Sequence, residues 1–328
     1  MIIVTGAAGF IGSAVVWGLN RRSDNRILVV DRMNQPMRDD EKNPNLADLK
    51  FSDYIDADDF LGRIRRVQFD RGVESLIHLG AISSTTEKNA DLLRTNNTEY
   101  TRAMAEFAVR AGVRFIYASS AATYGDGSQG YSDDPANLER LKPLNLYGES
   151  KHRFDLWAKQ HRLFDRIVGL KYFNVFGPNE YHKADMRSVV LKAFEQIRDT
   201  GKVRLFKSHR KEYADGEQVR DFLYVKDAVD MTLFFLDRPA ANGLFNIGSG
   251  ETHTWNELVT PVFAALDLPV SIEYIDMPPD IRDKYQYHTL ADLTHLAAAG
   301  FSDPVTSLDA AVREYVRDYL IPRAHLKP

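Results

Sequence analysis

The sequence predicts an α/β fold in which a doubly wound parallel sheet is followed by a smaller mixed α/β domain. Two observations indicate this fold. Through the first half of the chain, short apolar runs rich in β-branched residues alternate with amphipathic segments. The apolar runs are nearly continuous, as expected of parallel strands that are buried on both faces. Alternation of such strands with helices is typical of doubly wound sheets.

The predicted elements of the first half follow directly from this pattern. The strands are predicted at residues 2–4, 27–30, 75–78, 115–118 and 167–170. Amphipathic periodicity predicts the helices between them at residues 10–20, 58–66, 89–111 and 147–160. This half, residues 1–170, is predicted to form the first domain.

The second half, residues 171–328, mixes short strands with helices and is predicted to form mainly the second domain. We expect the chain to return to the first domain around residues 220–250. Strands are predicted at 203–206, 222–225 and 244–247. Helices are predicted at 188–199, from Lys226 onward, and at 255–266, 290–298 and 308–319, with Gly300 as a C-terminal cap signal.

Composition excludes several classes of protein. The 328 residues include 42 Lys+Arg against 46 Asp+Glu, a net charge of −4, which argues against a nucleic-acid-binding surface. No uncharged apolar run approaches the roughly 18 residues of a membrane helix. The absence of cysteine excludes disulfides, thiolate metal sites and a cysteine nucleophile. Histidine spacing shows no metal-binding motif, so no metal is expected.

The apolar start of the chain does not read as a signal peptide. No basic residue precedes it, and Gly6, Gly9 and Gly12 interrupt it. We therefore expect a folded first strand and helix in a soluble, cytoplasmic protein.

Those three glycines form a GxxGxxG motif between the first strand and the first helix. Glycine allows the tight turn and the close approach of backbone to a pyrophosphate, which the helix N-terminus then binds. Asp31 ends the second strand 19 residues after Gly12, the offset expected of an acid that binds the adenosine ribose. The motif therefore predicts a dinucleotide-binding site.

The choice between NAD and NADP is less strongly indicated. Asp31 alone would accept a hydrogen bond from the 2′-hydroxyl of NAD. Arg32 and Arg38 could pair with a 2′-phosphate, although Arg38 is equally consistent with a solvated loop charge. We favour NADP over NAD.

A Ser/Tyr/Lys constellation follows at the sheet edge where ligands bind in such folds. Ser119 and Ser120 come directly after the strand at 115–118, and Tyr147 and Lys151 are four residues apart, on one face of a helix. Tyrosine, with a pKa of about 10, needs a neighbouring ammonium and a positive nicotinamide ring to act as a base near neutral pH. The pattern predicts hydride chemistry with Tyr147 as acid/base.

On these motifs the chain resembles extended short-chain dehydrogenases/reductases that act on nucleotide sugars. Among them it is most similar to the ADP-heptose 6-epimerases of lipopolysaccharide core synthesis. The stretches that carry the likeness run nearly from end to end: TGAAGFIG, SSTTE, YASSAATYG, KPLNLYGESK, KYFNVFGPNEYHK, RDFLYVKD and FNIGSG. SSTTE (residues 83–87) together with FNVFGPNEYHK is the most specific part.

The resemblance implies a Rossmann fold and a role for each matching residue. Tyr147 is the first acid/base and Lys183 the second, Ser120 lies near the substrate oxygen, and Lys151 tunes Tyr147. The implied cofactor site comprises Gly6, Gly9, Phe10, Ile11, Gly12, Asp31, Arg32, Arg38, His78, Leu79, Gly80, Ala81, Ile82, Asn96, Tyr147, Lys151, Val175 and Lys183. The implied substrate site comprises Ser83, Ser120, Asn174, Asp185, Lys192, Phe206, Arg220 and Tyr285. The resemblance also suggests a homo-oligomer, specifically a pentamer.

Two acid/base groups suit a reaction in which oxidation at C6 gives a transient 6-keto sugar. The ketone must present its other face to receive hydride back, and if its oxygen then lies away from Tyr147, a second proton donor is needed. Lys183 is the candidate, although an ordinary surface lysine would fit the same turn. The cofactor would be regenerated in every cycle.

Several departures from the family pattern leave alternatives open. Ala57 replaces a lysine expected near the 2′-phosphate, Asp185 and Lys192 replace a serine and a histidine, and the segment 209–218 before Arg220 is longer than usual. This polar segment fits solvated surface and a functional loop equally well. The alternatives are a UDP-sugar 4-epimerase and a non-catalytic NADP-sensing module. A 4,6-dehydratase fits less well, because Tyr124-Gly125 follows Thr123 where such enzymes carry Asp-Glu.

Overall fold

The computed structural model describes residues 1–32, 43–66, 72–282 and 285–328. Over these residues the strands are β1 Ile2–Thr5, β2 Ile27–Asp31, β3 Asp53–Asp56, β4 Ser75–His78, β5 Arg114–Ser120, β6 Val168–Tyr172, β7 Asn174–Phe176, β8 Val203–Phe206, β9 Val219–Arg220, β10 Phe222–Tyr224, β11 Gly243–Ile247, β12 His253–Thr254 and β13 Ile272–Ile275.

The helices over the same residues are α1 Phe10–Arg21, α2 Asn43–Leu46, α3 Ala57–Arg65, α4 Ala90–Leu93, α5 Tyr100–Ala111, α6 Leu146–Gln160, α7 Val189–Thr200, α8 Val225–Phe234, α9 Trp255–Ala265, α10 Pro279–Arg282, α11 Thr294–Ala298 and α12 Leu308–Glu314. Shorter 3₁₀ segments include Ala121–Tyr124 and Tyr181–Met186. No helix in the described ranges is long and apolar enough to span a membrane.

A seven-stranded parallel sheet is the centre of the molecule. Its strand order is β11-β6-β5-β4-β1-β2-β3, with the order reversing between β1 and β4. Successive side chains in each strand enter opposite cores, so Val4 packs with α1 and α8 while Ile3 packs with α3, α5 and α6. The predicted doubly wound α/β fold is confirmed.

Three small strand pairs lie outside this sheet. β7 pairs with β10 and β8 with β13, both in parallel, and β9 pairs with β12 in antiparallel fashion. β7 starts two residues after β6 ends, so this second layer grows directly from the carboxyl edge of the sheet. The boundary at residue 170 stays a prediction; the structure places β11 at the edge of the main sheet.

The predicted elements omit the short strands β7, β9, β12 and β13, and the structure corrects further details. β3 was not predicted, because in this edge strand only Ile55 is buried. The helix predicted at 290–298 begins at Thr294, because Asp292 accepts from the Thr294 amide and hydroxyl. The helix predicted at 89–111 contains a π-helical stretch at Arg94–Glu99.

Candidate active site

The glycine loop between β1 and α1 is held against the loop that follows β4. Gly6 has φ +67°, and a Cβ added to it would lie 2.6 Å from the Cα of Gly80. A Cβ on Gly12 would lie 2.0 Å from the Gly6 carbonyl oxygen. Gly12 therefore packs against the backbone of the turn at Gly6. Gly6 and Gly80 allow the ends of β1 and β4 to approach closely at the point where the strand order reverses.

The amino end of α1 is available for an anion. No side chain caps its first amides, and its first turn contains no acidic residue. Asp31, at the end of β2, accepts hydrogen bonds from the amides of Ala8 (2.9 Å) and Arg32 (2.7 Å). Phe10 and Ile11, the first two residues of α1, line a cavity, so the positive end of the helix dipole faces that cavity.

A cavity of about 690 Å³ lies at the carboxyl edge of the sheet and gathers most of the predicted residues. Its walls include Gly6, Gly9, Phe10, Ile11, Asp31, Leu79, Gly80, Ala81, Ile82, Ser83, Ser120, Tyr147, Lys151, Asn174, Val175 and Lys183. Within the described ranges, no group of three or more histidine or acidic side chains could hold a metal ion.

A smaller cavity of about 180 Å³ adjoins the first and shares Gly6, Asp31 and Gly80 with it. Arg32 and Asn96 line it and hydrogen-bond each other. Arg32 also pairs with Asp58 at 2.6 Å. Arg38, predicted beside Arg32, lies outside the described residues.

The local folding of α6 places Tyr147 and Lys151 beside Ser120. Asn145 caps the helix by accepting from the Gly148 amide at 2.8 Å, so Tyr147 lies in the first turn. Lys151 follows one turn later and donates to the Ala118 carbonyl of β5 at 2.8 Å. The three predicted side chains therefore line one wall of the larger cavity.

Burial has the largest influence on the pKa values of Tyr147 and Lys151. It raises the pKa of the Tyr147 phenol, against a hydrogen bond with Ser120 that lowers it. It also lowers the pKa of Lys151 to about 8, although Asp155 raises it. The phenol pKa is thus raised in the protein alone, opposite to the depression expected from Lys151. A positive charge supplied by a bound group is needed to make Tyr147 an effective base.

A buried ion pair supports this wall from behind. Asp155, one helical turn beyond Lys151, accepts from the hydroxyls of Tyr117 (2.8 Å) and Ser119 (2.7 Å). The Lys171 ammonium of β6 lies 3.4 Å from the Asp155 carboxylate and donates to Thr123 at 2.6 Å. This network joins α6, β5 and β6 directly beneath Ser120.

Lys183 lines the same cavity from a different element, the 3₁₀ segment Tyr181–Met186. Its ammonium lies 5.0 Å from the centroid of the Phe10 ring. Burial lowers the Lys183 pKa, opposed by the carboxylate of Glu180. Glu180 is buried and holds the segment by accepting from the amide and the hydroxyl of Ser188, each at 2.6 Å. Ala184 follows with a strained φ of +45°.

His78 does not line either cavity. Its ring nitrogens lie 2.6 Å from the Thr5 hydroxyl and 2.9 Å from that of Thr101. Burial lowers its pKa to about 3, so the ring is neutral. The structure places His78 as a packed residue beneath the glycine loop.

The remaining predicted substrate residues lie outside the wall of the main cavity. Asp185 is exposed, and its carbonyl accepts from the Lys192 ammonium at 2.6 Å. The buried Arg220 guanidinium lies 5.1 Å from the ring centroid of Tyr285 and 5.6 Å from that of Trp255, which does line the cavity. The Phe206 carbonyl accepts from Gln218 at 3.4 Å.

Sequence reasoning missed part of the lining. One group lies at the end of β6, where the strand-end rule used for Ser120 would have found it. The others lie in β5, β7 and β10 and on loops and helices, without a sequence signal. They are Ser84, Ala118, Tyr172, Phe173, Phe176, His182, Ala184, Met186, Arg187, Ser188, Val189, Val190, Phe222, Trp255 and Leu258.

Comparisons with known proteins agree with this geometry. Residues 2–248 match the model of the NAD dependent epimerase/dehydratase family. The chain is 51% identical over 320 residues, 98% of each chain, to an ADP-L-glycero-D-manno-heptose-6-epimerase of Nitratidesulfovibrio vulgaris. The structure of the enzyme of that name from Helicobacter pylori superposes with a TM-score of 0.78 at 27% identity, over 97% of this chain and 95% of that one. A Thermotoga maritima UDP-glucose 4-epimerase superposes with 0.77 at 25% identity, over 98% and 99%.

Proposed function

The chain belongs to the NAD dependent epimerase/dehydratase family, and from that premise we propose that it converts ADP-D-glycero-D-manno-heptose into ADP-L-glycero-D-manno-heptose. The observation that carries the proposal is the placement of two different acid/base groups, Tyr147 and Lys183, in the walls of one cavity. Its substrate specificity is supported by the 51% identity to a 6-epimerase over nearly the full chain.

The residues at the glycine loop fit a nicotinamide dinucleotide. The close contact of Gly6 with Gly80 leaves no room for a Cβ, and the uncapped amides of α1 suit a pyrophosphate. A nicotinamide ring bound there would supply reversible hydride transfer at C6 of the sugar. Lys151 and Tyr147 line the same cavity as this loop.

We propose NADP as the preferred form. Arg32 lines the smaller cavity beside Asp31, where its guanidinium suits a 2′-phosphate. Asp58, which now pairs with Arg32, would compete with the phosphate. Arg32→Ala should therefore raise the Kd of NADP about tenfold and leave that of NAD nearly unchanged, as measured by fluorescence titration. Equal losses for both dinucleotides would contradict the preference.

The two acid/base groups take complementary parts in the reaction. Tyr147, hydrogen-bonded with Ser120, accepts the proton of the C6 hydroxyl as hydride leaves. After the ketone has turned, Lys183 donates a proton to its oxygen, and proton exchange with solvent restores both groups for the next turnover. The lowered Lys183 pKa makes its ammonium a readier donor than an exposed lysine.

The direct test is conversion of ADP-D-glycero-D-manno-heptose by the purified protein, followed by NMR detection of the C6 epimer. We expect Tyr147→Phe and Lys183→Met each to lower turnover about 10²- to 10⁴-fold while dinucleotide stays bound. Lys202→Met, on an exposed lysine paired with Glu273, is the control.

Two results would replace the proposal by its alternatives. Full activity of Lys183→Met, together with turnover of UDP-sugars, would indicate a 4-epimerase with one acid/base. Bound dinucleotide without isomerisation of any nucleotide sugar would indicate a sensing module. An ADP-sugar substrate and a homo-oligomeric, specifically pentameric, assembly follow from the family resemblance. Light scattering would test the assembly.

A further inference from the structure

We infer that the polar loop at residues 208–217 forms the outer wall of the substrate site and contacts the nucleoside diphosphate through Tyr213 and Arg210. This inference rests on the proposed function and extends it, because neither residue belongs to the site that the family resemblance implies. The substrate class concerned is a planar base linked through ribose to a diphosphate.

The loop is docked on the protein through Tyr287. The His209 amide donates to the Tyr287 hydroxyl at 2.9 Å, and the Arg210 guanidinium lies 4.5 Å from the centroid of the Tyr287 ring. The Tyr213 ring packs on Tyr287 with centroids 5.2 Å apart. These contacts hold Arg210 and Tyr213 in fixed positions beside Tyr287.

A continuous line of rings joins this loop to the main cavity. Tyr287 contacts Tyr285 at 5.4 Å, Tyr285 lies 5.1 Å from the Arg220 guanidinium, and Arg220 lies 5.6 Å from Trp255 in the cavity wall. A ligand that extends from the cavity past Trp255 therefore meets Arg220 first and the loop next.

The charges along this line suit an anion. Arg220 is only 5% exposed, and within the described ranges its side chain contacts the Val219 carbonyl and the rings of Trp255 and Tyr285 rather than an acidic partner. Burial lowers its pKa, opposed by the hydroxyls of Tyr285, Tyr131, Tyr213 and Tyr287. A buried guanidinium surrounded by hydroxyls and rings, with Arg210 nearby, matches a diphosphate attached to a flat base.

Gln218 supplies an independent sign of a missing ligand group. Its side chain is fully buried, and its Oε1 has no hydrogen-bond partner. Buried carbonyl oxygens are nearly always paired, so this unpaired oxygen, on the residue two before Arg220 in the chain, leaves an acceptor for a ligand's donor. A ribose hydroxyl or an amino group on the base would supply that donor.

The test is calorimetric titration of ADP into protein already saturated with dinucleotide, so that the cofactor site is closed to the probe. We expect Tyr213→Ala and Arg210→Ala each to raise the ADP Kd about tenfold, and to raise the KM for the ADP-sugar similarly with kcat within about twofold. Tyr213→Phe, which keeps the ring, should stay close to wild type. Arg198→Ala is the matched control, because Arg198 also stacks on a ring, Phe194, at 5.5 Å, but is exposed.

The outcomes separate the two levels of inference. An unchanged ADP Kd in both alanine variants, with wild-type melting temperatures and an active wild-type enzyme, would overturn the role of the loop alone. If wild-type protein neither binds ADP nor converts the ADP-sugar, the proposed function fails and the loop inference fails with it.

Discussion

Two buried cations, Lys171 and Arg220, have opposite surroundings. The Lys171 side chain is 0% exposed, and its ammonium has an acidic partner in Asp155 and an acceptor in Thr123. Arg220 is 5% exposed, but its guanidinium donates to the Val219 carbonyl at 2.9 Å and lies over the rings of Trp255 and Tyr285. Burial lowers the pKa of both.

We propose that this difference separates a cation that stabilises the fold, Lys171, from one that binds a ligand, Arg220. Desolvation of a charge is costly, and a nearby opposite charge with satisfied hydrogen bonds offsets it. For Lys171 the protein itself supplies that offset. For Arg220, no acid within the described ranges does so, and in our proposal an anionic substrate supplies the compensation.

The largest effect should come from removing the paired cation. Lys171→Met leaves the Asp155 carboxylate buried without its ion-pair partner, so we expect the free energy of unfolding to fall by about 3–5 kcal/mol in urea titrations. Lys202→Met, which breaks an ion pair with Glu273 at the surface, should cost less than about 1 kcal/mol. Equal losses in the two variants would erase the distinction between a buried pair and an exposed one.

Replacing Arg220 should impair substrate binding without lowering the stability of the fold. Arg220→Met relieves a buried charge, so we expect the free energy of unfolding to stay the same or to rise. Loss of its pairing with the diphosphate should raise the KM for the ADP-sugar about 100-fold, as steady-state kinetics would measure. Arg204→Met, on the exposed face of β8, is the control. A loss of stability as large as that of Lys171→Met would show that Arg220 is structural.

The sequence predicted the surroundings of Lys171, at the carboxyl edge of the sheet, more completely than the surroundings of Arg220. Strands that are buried on both faces are recognisable in the sequence as continuous apolar runs. The position of Ser120 at the end of β5 and the four-residue spacing of Tyr147 and Lys151 on α6 were enough to predict that these side chains lie together. The exception, β3, is an edge strand with one buried residue. Asp155 continues the helical spacing of Tyr147 and Lys151, and its role could have been found by extending that series.

The surroundings of Arg220 depend on contacts between segments that are distant in the chain. Residues of the loop at 208–217, of β9 and of residues 285–287 converge around Arg220, and no periodicity relates them. The same holds for Lys183, whose position depends on the buried Glu180 and its bonds to Ser188. A sequence pattern could name these residues by resemblance but could not place them.

His78 is a third buried titratable side chain, and unlike Lys171 and Arg220 it is neutral in the folded protein. Its folded pKa of about 3 lies below the unfolded value of 6.5, so between these values the unfolded chain binds more protons. Its contribution to stability is therefore complete above pH 6.5 and declines by up to about 1.4 kcal/mol for each pH unit below it.

The measurement is the difference in unfolding free energy between wild type and His78→Asn in urea at pH 7.5 and at pH 5.0. We expect the difference to shrink by about 2 kcal/mol at the lower pH, because the variant has no group to protonate on unfolding. A difference that is the same at both values would mean that folded His78 binds a proton as readily as the unfolded chain does and is therefore charged at pH 5.0. In that case it would be a third buried cation, compensated by hydroxyls alone, and neutral packing beneath the glycine loop would be the wrong description.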